Sequence, residues 1–172
     1  MDAIDQARRQ WGQRFPRLDT TPLDVFGRVR RISAVLQALS DNVLASYGIT
    51  RADFDILSVL GRFGRAMTPT EIAVETVTSA PGTTKRIRRL VDAGLVRREP
   101  NPQDGRGSLI SITAAAEVLL EPVLEAISEL ENAYLQRLPD SAVAELSTHL
   151  AALLGCLDDA DRTECEGRRP AV

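Results

Sequence analysis

The sequence predicts a mainly α chain carrying one small β-hairpin, and three observations support that prediction. Apolar residues recur at helical spacing along most of the chain, and helix-start motifs built on Thr with an acid three residues later stand ahead of them. Only one region, residues 95–113, changes to strand-like composition around a centre rich in Asn, Pro, Asp and Gly. The 172 residues are 44% hydrophobic, 26% charged and 4% aromatic, a balance that suits one helix-rich globular domain.

The set Ile4, Ala7, Arg8 and Trp11 has i, i+3, i+4, i+7 spacing and marks a short N-terminal helix, closed by the irregular Phe15-Pro16-Arg17-Leu18-Asp19. Thr21-Pro22-Leu23-Asp24 reads as the next helix start, with a threonine cap and proline at the first helical position, and the helix should run to about Ser46. Its apolar residues Val25, Val29, Ile32, Leu36, Leu39 and Val43 alternate spacings of four and three, a seam for packing along another helix. Leu120, Val123, Ile127, Leu130 and Tyr134 repeat that spacing, as do Val143, Leu146, Leu150, Leu153 and Leu157. A bundle within the chain would cover these seams, and so would a homodimer. The homodimer is preferred, because a different compact module already fills the middle of the chain.

That module begins where Thr50 caps a helix through Asp53, with Phe54, Leu57, Leu60 and Phe63 on its apolar side and turn residues from Gly61 to Ala66. Thr68-Pro69-Thr70-Glu71 opens a very short helix that ends before the β-branched run Thr76-Val77-Thr78. Ser79 is expected to cap a third helix, apolar at Ile87, Leu90 and Val91, which Gly94 terminates. Leu95–Glu99 and Ser108–Thr113 read as a hairpin with a long exposed tip from Pro100 to Gly107. The expected organisation is therefore 1–48 as an extension and first dimerisation helix, 49–113 as the central module, 114–158 as C-terminal dimerisation helices, and 159–172 as a disordered tail.

Composition excludes several classes. No apolar run reaches the roughly 18 residues of a membrane span, and Met1 to Arg9 is charged instead of carrying an apolar signal core, so a cytoplasmic protein with no membrane partner is expected. Cysteine occurs only at 156 and 165 and histidine only at 149, which leaves no metal-ligand cluster, no cofactor and no nucleophile–base pair for an enzyme. A thiol-based redox switch or a helical protein-interaction module are the alternatives; the first lacks a setting that favours thiolate, and the second has no use for a basic helix.

The net charge of −3 weighs against nucleic acid, yet its distribution does not. Lys85, Arg86, Arg88, Arg89, Arg97, Arg98 and Arg106 crowd the stretch 83–107, whereas Glu117, Glu121, Glu125, Glu129 and Glu131 lie beyond it. A short helix, a turn, a basic second helix and a hairpin are the parts of a winged helix-turn-helix, in which the second helix reads the major groove of double-stranded DNA. The expected DNA contacts are Ser79, Pro81, Gly82, Thr83, Thr84, Lys85, Arg86 and Arg89 on that helix, and Arg106 at the hairpin tip.

Residues 50–113 resemble the DNA-binding module of MarR-type regulators, through Thr68-Pro69-Thr70-Glu71-Ile72-Ala73, Thr83-Thr84-Lys85-Arg86-Ile87-Arg88-Arg89-Leu90, Ala93-Gly94-Leu95-Val96 and Asp104-Gly105-Arg106. The resemblance implies a homodimeric transcriptional regulator, a repressor released by a small ligand. It also implies that Arg106 reaches a minor groove with Asp104 orienting it, although Gly105 and Gly107 stand where further basic residues are usual. A finer resemblance, to the urate-responsive subgroup, rests on Trp11, Asp55, Arg86 and Arg98 together with the N-terminal extension. It implies a small anionic aromatic ligand, urate or a related purine or phenolic acid, with an indole against the ring, guanidiniums on the anion and a carboxylate accepting ring N–H groups.

Overall fold

The computed structural model describes residues 1–76, 78–102 and 104–167, with the backbone alone for 105, 106 and 159–167. Its elements are α1 (Ala3–Arg14), a π-helical turn (Leu23–Gly27), α2 (Arg28–Ser46), α3 (Arg51–Phe63), α4 (Pro69–Glu75), α5 (Ala80–Asp92), β1 (Val96–Asn101), β2 (Asp104–Ile112), α6 (Ala114–Leu135) and α7 (Asp140–Gly167). The chain is thus mainly helical with one antiparallel two-stranded hairpin. Residues Met1–Ser128 form one compact unit and the residues from Glu129 onward a second.

Helix starts follow the sequence at three places. Thr50 with Asp53 and Thr68 with Glu71 both form the full reciprocal box, and Asp2 with Asp5 forms a third at the start of α1. The start at Thr21 differs. The chain enters the long helix through the wide turn at Leu23–Gly27 with no side-chain cap, while Asp24 binds Arg28 and Arg8. Arg28 also holds Asp2 and Asp5 at 2.9 and 2.7 Å, and Ile4 packs on Gly27, which together dock α1 on the turn.

The main core is built by the central module itself. Ile56, Leu57, Val59 and Leu60 of α3 meet Met67 and Ile72, Ile87 and Leu90 of α5, Val96 and Ile110 of the hairpin, and Ala116 and Leu120 of α6. Each such side chain, buried from water, contributes about 1.5–3 kcal/mol, so this cluster fixes α5 on the body. Leu44, Ile49, Val123 and Ile127 form a second cluster that joins the end of α2 to α6. For this stretch of α6 the seam is covered within the chain, the alternative to a homodimer, because Leu120, Val123 and Ile127 are buried there.

α5 ends as its glycine demands. Gly94 has φ 72°, the Leu95 N–H reaches Leu90 O at 2.9 Å and the Gly94 N–H reaches Val91 O at 2.9 Å, a Schellman closure that turns the chain into β1. The hairpin is pinned to the body where Met67 and Ile110 exchange backbone hydrogen bonds of 2.9 and 2.8 Å. Its tip is tighter than the long loop expected, since Asn101 already opposes Asp104. Pairing resumes at Pro100 with Ser108, so Gly105, Arg106 and Gly107 are carried on β2 as a bulge. At the other end of the chain α7 stays helical to Gly167, past the expected tail boundary at 159. Residues 158–167 contain no proline to stop the helix, and Ala160, Arg162, Glu164 and Glu166 are good helix formers within it. Among the described residues no helix is long and apolar enough to cross a membrane.

Candidate nucleic-acid interface

α5 buries Thr83, Ile87 and Leu90, an i, i+4, i+7 stripe, against the core. At 3.6 residues per turn, the opposite face carries Pro81, Lys85 and Arg88, all exposed, with Thr84 beside them. Arg88 belongs to this outward face but was not among the expected contacts. Its spacing of three from Lys85 and four from Thr84 was the signal that could have found it. One of the expected contacts is corrected, and so is the expected cap at Ser79. Thr83 is fully buried, its hydroxyl bonded within the protein, so it cannot touch a base. Ser79 occupies the N-cap position, but its side chain makes no cap bond. It lies instead over Gly82, where an added Cβ would stand 3.1 Å from Ser79 Oγ.

Arg86 and Arg89 occupy the flank of α5 that faces α3. Arg89 lies 3.4 Å from Asp53 Oδ2, with 59% of its side chain still exposed. Asp53, which the sequence marked only as a cap, is 1% exposed. Its Oδ2 accepts the Thr50 N–H at 3.0 Å and the Thr50 hydroxyl at 2.5 Å, while Oδ1 has no partner. A cavity of about 320 Å³ opens here, lined by Asp53, Gly82, Lys85, Arg86 and Arg89. A buried carboxylate oxygen left unbonded among three cationic side chains is costly unless a donor fills the space.

A second cavity, about 480 Å³, lies on the other side of Arg86 and is lined by Gln37, Asp41, Ala45, Ile49, Thr50, Arg51, Ala52 and Arg86. Arg51 pairs with Asp41 at 3.4 Å on its wall. Asp55 is close enough to feel Arg51 and Arg86, but burial dominates and pushes its carboxyl above the usual range; Arg51 and Arg86 offset that only in part, and Asp41 adds to it. Of the four expected ligand residues, Arg86 alone lines a cavity; Asp55 lies within electrostatic reach of it but lines neither. Trp11 is 47% exposed and stacks on Phe15 with ring centres 5.7 Å apart, and it lines neither cavity. Arg98 also lines neither, although it shares a hairpin face with Val96 and its cross-strand neighbour Ile110, the face turned to the core. The acid that sits deepest beside the reading helix is Asp53, two residues before the expected one.

At the hairpin tip the Asp104 carboxylate lies against Gly107, where an added Cβ would approach Oδ2 to 3.1 Å. A side chain at 107 would press on the Asp104 carboxylate, which would have to give by a few tenths of an ångström. The Arg106 side chain lies outside the described residues.

A sequence profile of the MarR family matches residues 47–107, the stretch that holds α3, α4, α5 and most of the hairpin. The HTH-type transcriptional regulator PecS of Dickeya dadantii is 34% identical over 149 residues, covering 86% of this chain and 87% of PecS. This chain belongs to the MarR family. MarR of Escherichia coli, the multiple antibiotic resistance protein, is 29% identical over 67% of this chain and 81% of its own length. A cysteine-to-serine mutant of that MarR, solved in complex with operator DNA, superposes with a TM-score of 0.68 at 25% identity, over 90% of this chain and 99% of that one. NadR in complex with 4-hydroxyphenylacetate superposes with a TM-score of 0.62 at 25% identity, over 75% of this chain and 91% of NadR. The MarR-type chain described here is accordingly a DNA-binding transcriptional regulator with a winged helix.

Proposed function

We propose that this MarR-type regulator acts as a homodimer on a pseudo-palindromic operator, as a repressor, and that a small anionic aromatic ligand beside Arg86 releases it. The observation that carries the reading is the division of α5 into two basic faces. Lys85 and Arg88 point outward with Thr84, suited to bases and phosphates, whereas Arg86 and Arg89 turn to the cavities and to Asp53. Ligand and DNA therefore engage different sides of one helix, which is the physical requirement for coupling.

An anion in either cavity meets Arg86, and ring N–H or hydroxyl donors in the smaller one lie beside Asp53, which lines it. A urate-like purine carries both features, and so does a phenolic acid; the complex of NadR with 4-hydroxyphenylacetate supports the second within the family. Homodimerisation is supported by the apolar residues left uncovered on the turn and α2, namely Val25, Phe26, Val29, Ile32 and Val35, and separately by Leu146, Leu150, Leu154 and Leu157 on α7. The twofold should hold the two copies of α5 about 34–36 Å apart, one turn of duplex. Under this reading 1–48 and 114–158 serve dimerisation, 49–113 serves DNA, and Trp11 and Arg98 close on the ligand from α1 and β1.

The test is a mobility shift with the duplex upstream of the chain's own gene, titrated with urate and with 4-hydroxyphenylacetate. Retardation that either compound reverses supports the reading. Absence of retardation removes the operator, and release that persists unchanged in both Trp11→Ala and Arg98→Ala removes those residues from the site.

A further inference from the structure

We propose that a chain of three threonine hydroxyls, Thr83 to Thr78 to Thr76, sets the angle of the reading helix and so the operator specificity of the protein; this rests on the reading of α5 as the DNA-reading element. The distances are those of strong hydroxyl bonds. Thr78 Oγ1 lies 2.7 Å from Thr83 Oγ1 and 2.7 Å from Thr76 Oγ1, and Thr76 Oγ1 donates to Ile72 O at 2.8 Å.

Each hydroxyl owns one proton, which gives the chain a direction. Thr76 spends its proton on Ile72 O, so it accepts from Thr78. Thr78 then accepts from Thr83, whose other acceptor, Ser79 O, is more distant at 3.1 Å. The relay starts at a fully buried residue in the first turns of α5 and ends on a carbonyl of the last turn of α4. The Thr78 N–H adds a bond to Ala73 O at 3.0 Å. Apolar packing through Ile72, Ile87 and Leu90 holds the two helices together, but the hydrophobic effect behind it has no direction of its own. Hydrogen bonds do have direction, and linked hydroxyls reinforce one another. The clasp therefore adds to the core a directional restraint on the rotation of Lys85 and Arg88 relative to the helix that crosses the backbone. Thr83 is a positioning residue and touches no base.

The test uses the full chain, a duplex enriched by wild type from a random pool, and the pool itself as non-specific DNA. Thr83→Val keeps the shape and removes the hydroxyl; it should weaken the enriched duplex about 3- to 10-fold and leave pool affinity within about twofold. Thr83→Ser should restore the wild-type ratio. Thr78→Val, at an exposed position that tolerates the change, should lose about as much, and the double variant no more than either single one. Ile87→Val is the control for stability, because it trims the core beneath the same helix; it should lower Tm and keep the ratio. A Thr83→Val ratio equal to wild type overturns the clasp, as does an equal change in Ile87→Val. Failure of wild type to enrich any duplex overturns the clasp together with the DNA reading beneath it.

Discussion

Replacing Asp53 by asparagine separates the two duties of that carboxylate. As a cap, its Oδ2 accepts the Thr50 N–H at 3.0 Å, and an amide oxygen can go on doing so, so the loss at the start of α3 should stay below about 1 kcal/mol. As a charge, it stands 3.4 Å from an Arg89 that is 59% exposed, and a pair so placed is worth no more than about 1 kcal/mol. Tm should therefore move little. DNA binding should respond more clearly, because Arg89 loses its anion and becomes free to meet a phosphate. One added phosphate contact steepens the dependence of log K on log salt by about 0.9, which over a fourfold rise in salt is about a 3.5-fold larger loss of affinity. Anisotropy of a labelled duplex across a salt series measures this directly. A folded Asp53→Asn protein with the wild-type slope would refute the idea that Asp53 restrains a DNA-binding cation. Under the proposed function the same variant should also lose its response to ligand, since the carboxylate lining the smaller cavity has lost its charge.

Arg86→Gln should keep most operator affinity and lose ligand release, whereas Arg88→Gln should weaken DNA and keep release; mobility shifts with and without urate distinguish them. Arg106→Ala should flatten the salt slope by about 0.9 if the wing meets one phosphate, and an unchanged slope would take that side chain off the DNA. Glu71, bonded by the Thr68 N–H and hydroxyl and by Arg65, is held down to about 2 from an ordinary 4.5. Its stabilisation is complete above about pH 4.5 and lost as pH falls toward 2, so thermal melts of Glu71→Gln should be lower at neutral pH and flatter across that window. Asp55 titrates the other way. Burial raises it above 3.8, so folding is penalised once the unfolded state ionises, and Asp55→Asn should raise Tm at neutral pH and change nothing below about pH 3.8.

Much of the fold was legible because its signals are local. Thr50 with Asp53, Thr68 with Glu71, and Gly94 each act within one turn of chain, and each does in the structure what its spacing foretold. The hairpin was legible in kind but not in length, since composition shows where glycines cluster and not that Gly105–Gly107 form a bulge within paired strand. Seams were harder. The three-four spacing of Leu120, Val123 and Ile127 is the same whether the partner helix lies in the same chain or in another; Leu44 and Ile49 claimed Val123 and Ile127, and the main core claimed Leu120. The site was half legible for a related reason: type and spacing name the cations of α5, but only burial separates Thr83, turned inward, from Thr84 and Arg88, turned out.

Asp53 escaped notice because it already had a local explanation. A cap acid needs one oxygen for the backbone, and nothing in a one-dimensional pattern tells where the other oxygen points. In the fold the capping oxygen itself, Oδ2, lies 3.4 Å from Arg89 on the flank of α5, so the residue that fixes where α3 begins also lines the cavity beneath the reading helix. A side chain with that double attachment links the body to α5 without a dedicated connector. A ligand that engaged Asp53 and Arg86 would need to favour one helix position by only about 1–3 kcal/mol to change operator affinity roughly 5- to 150-fold. Such a preference is within reach of one or two charge-assisted hydrogen bonds at about 1.5–3 kcal/mol each, so the cavities need not close fully around the ligand to release DNA.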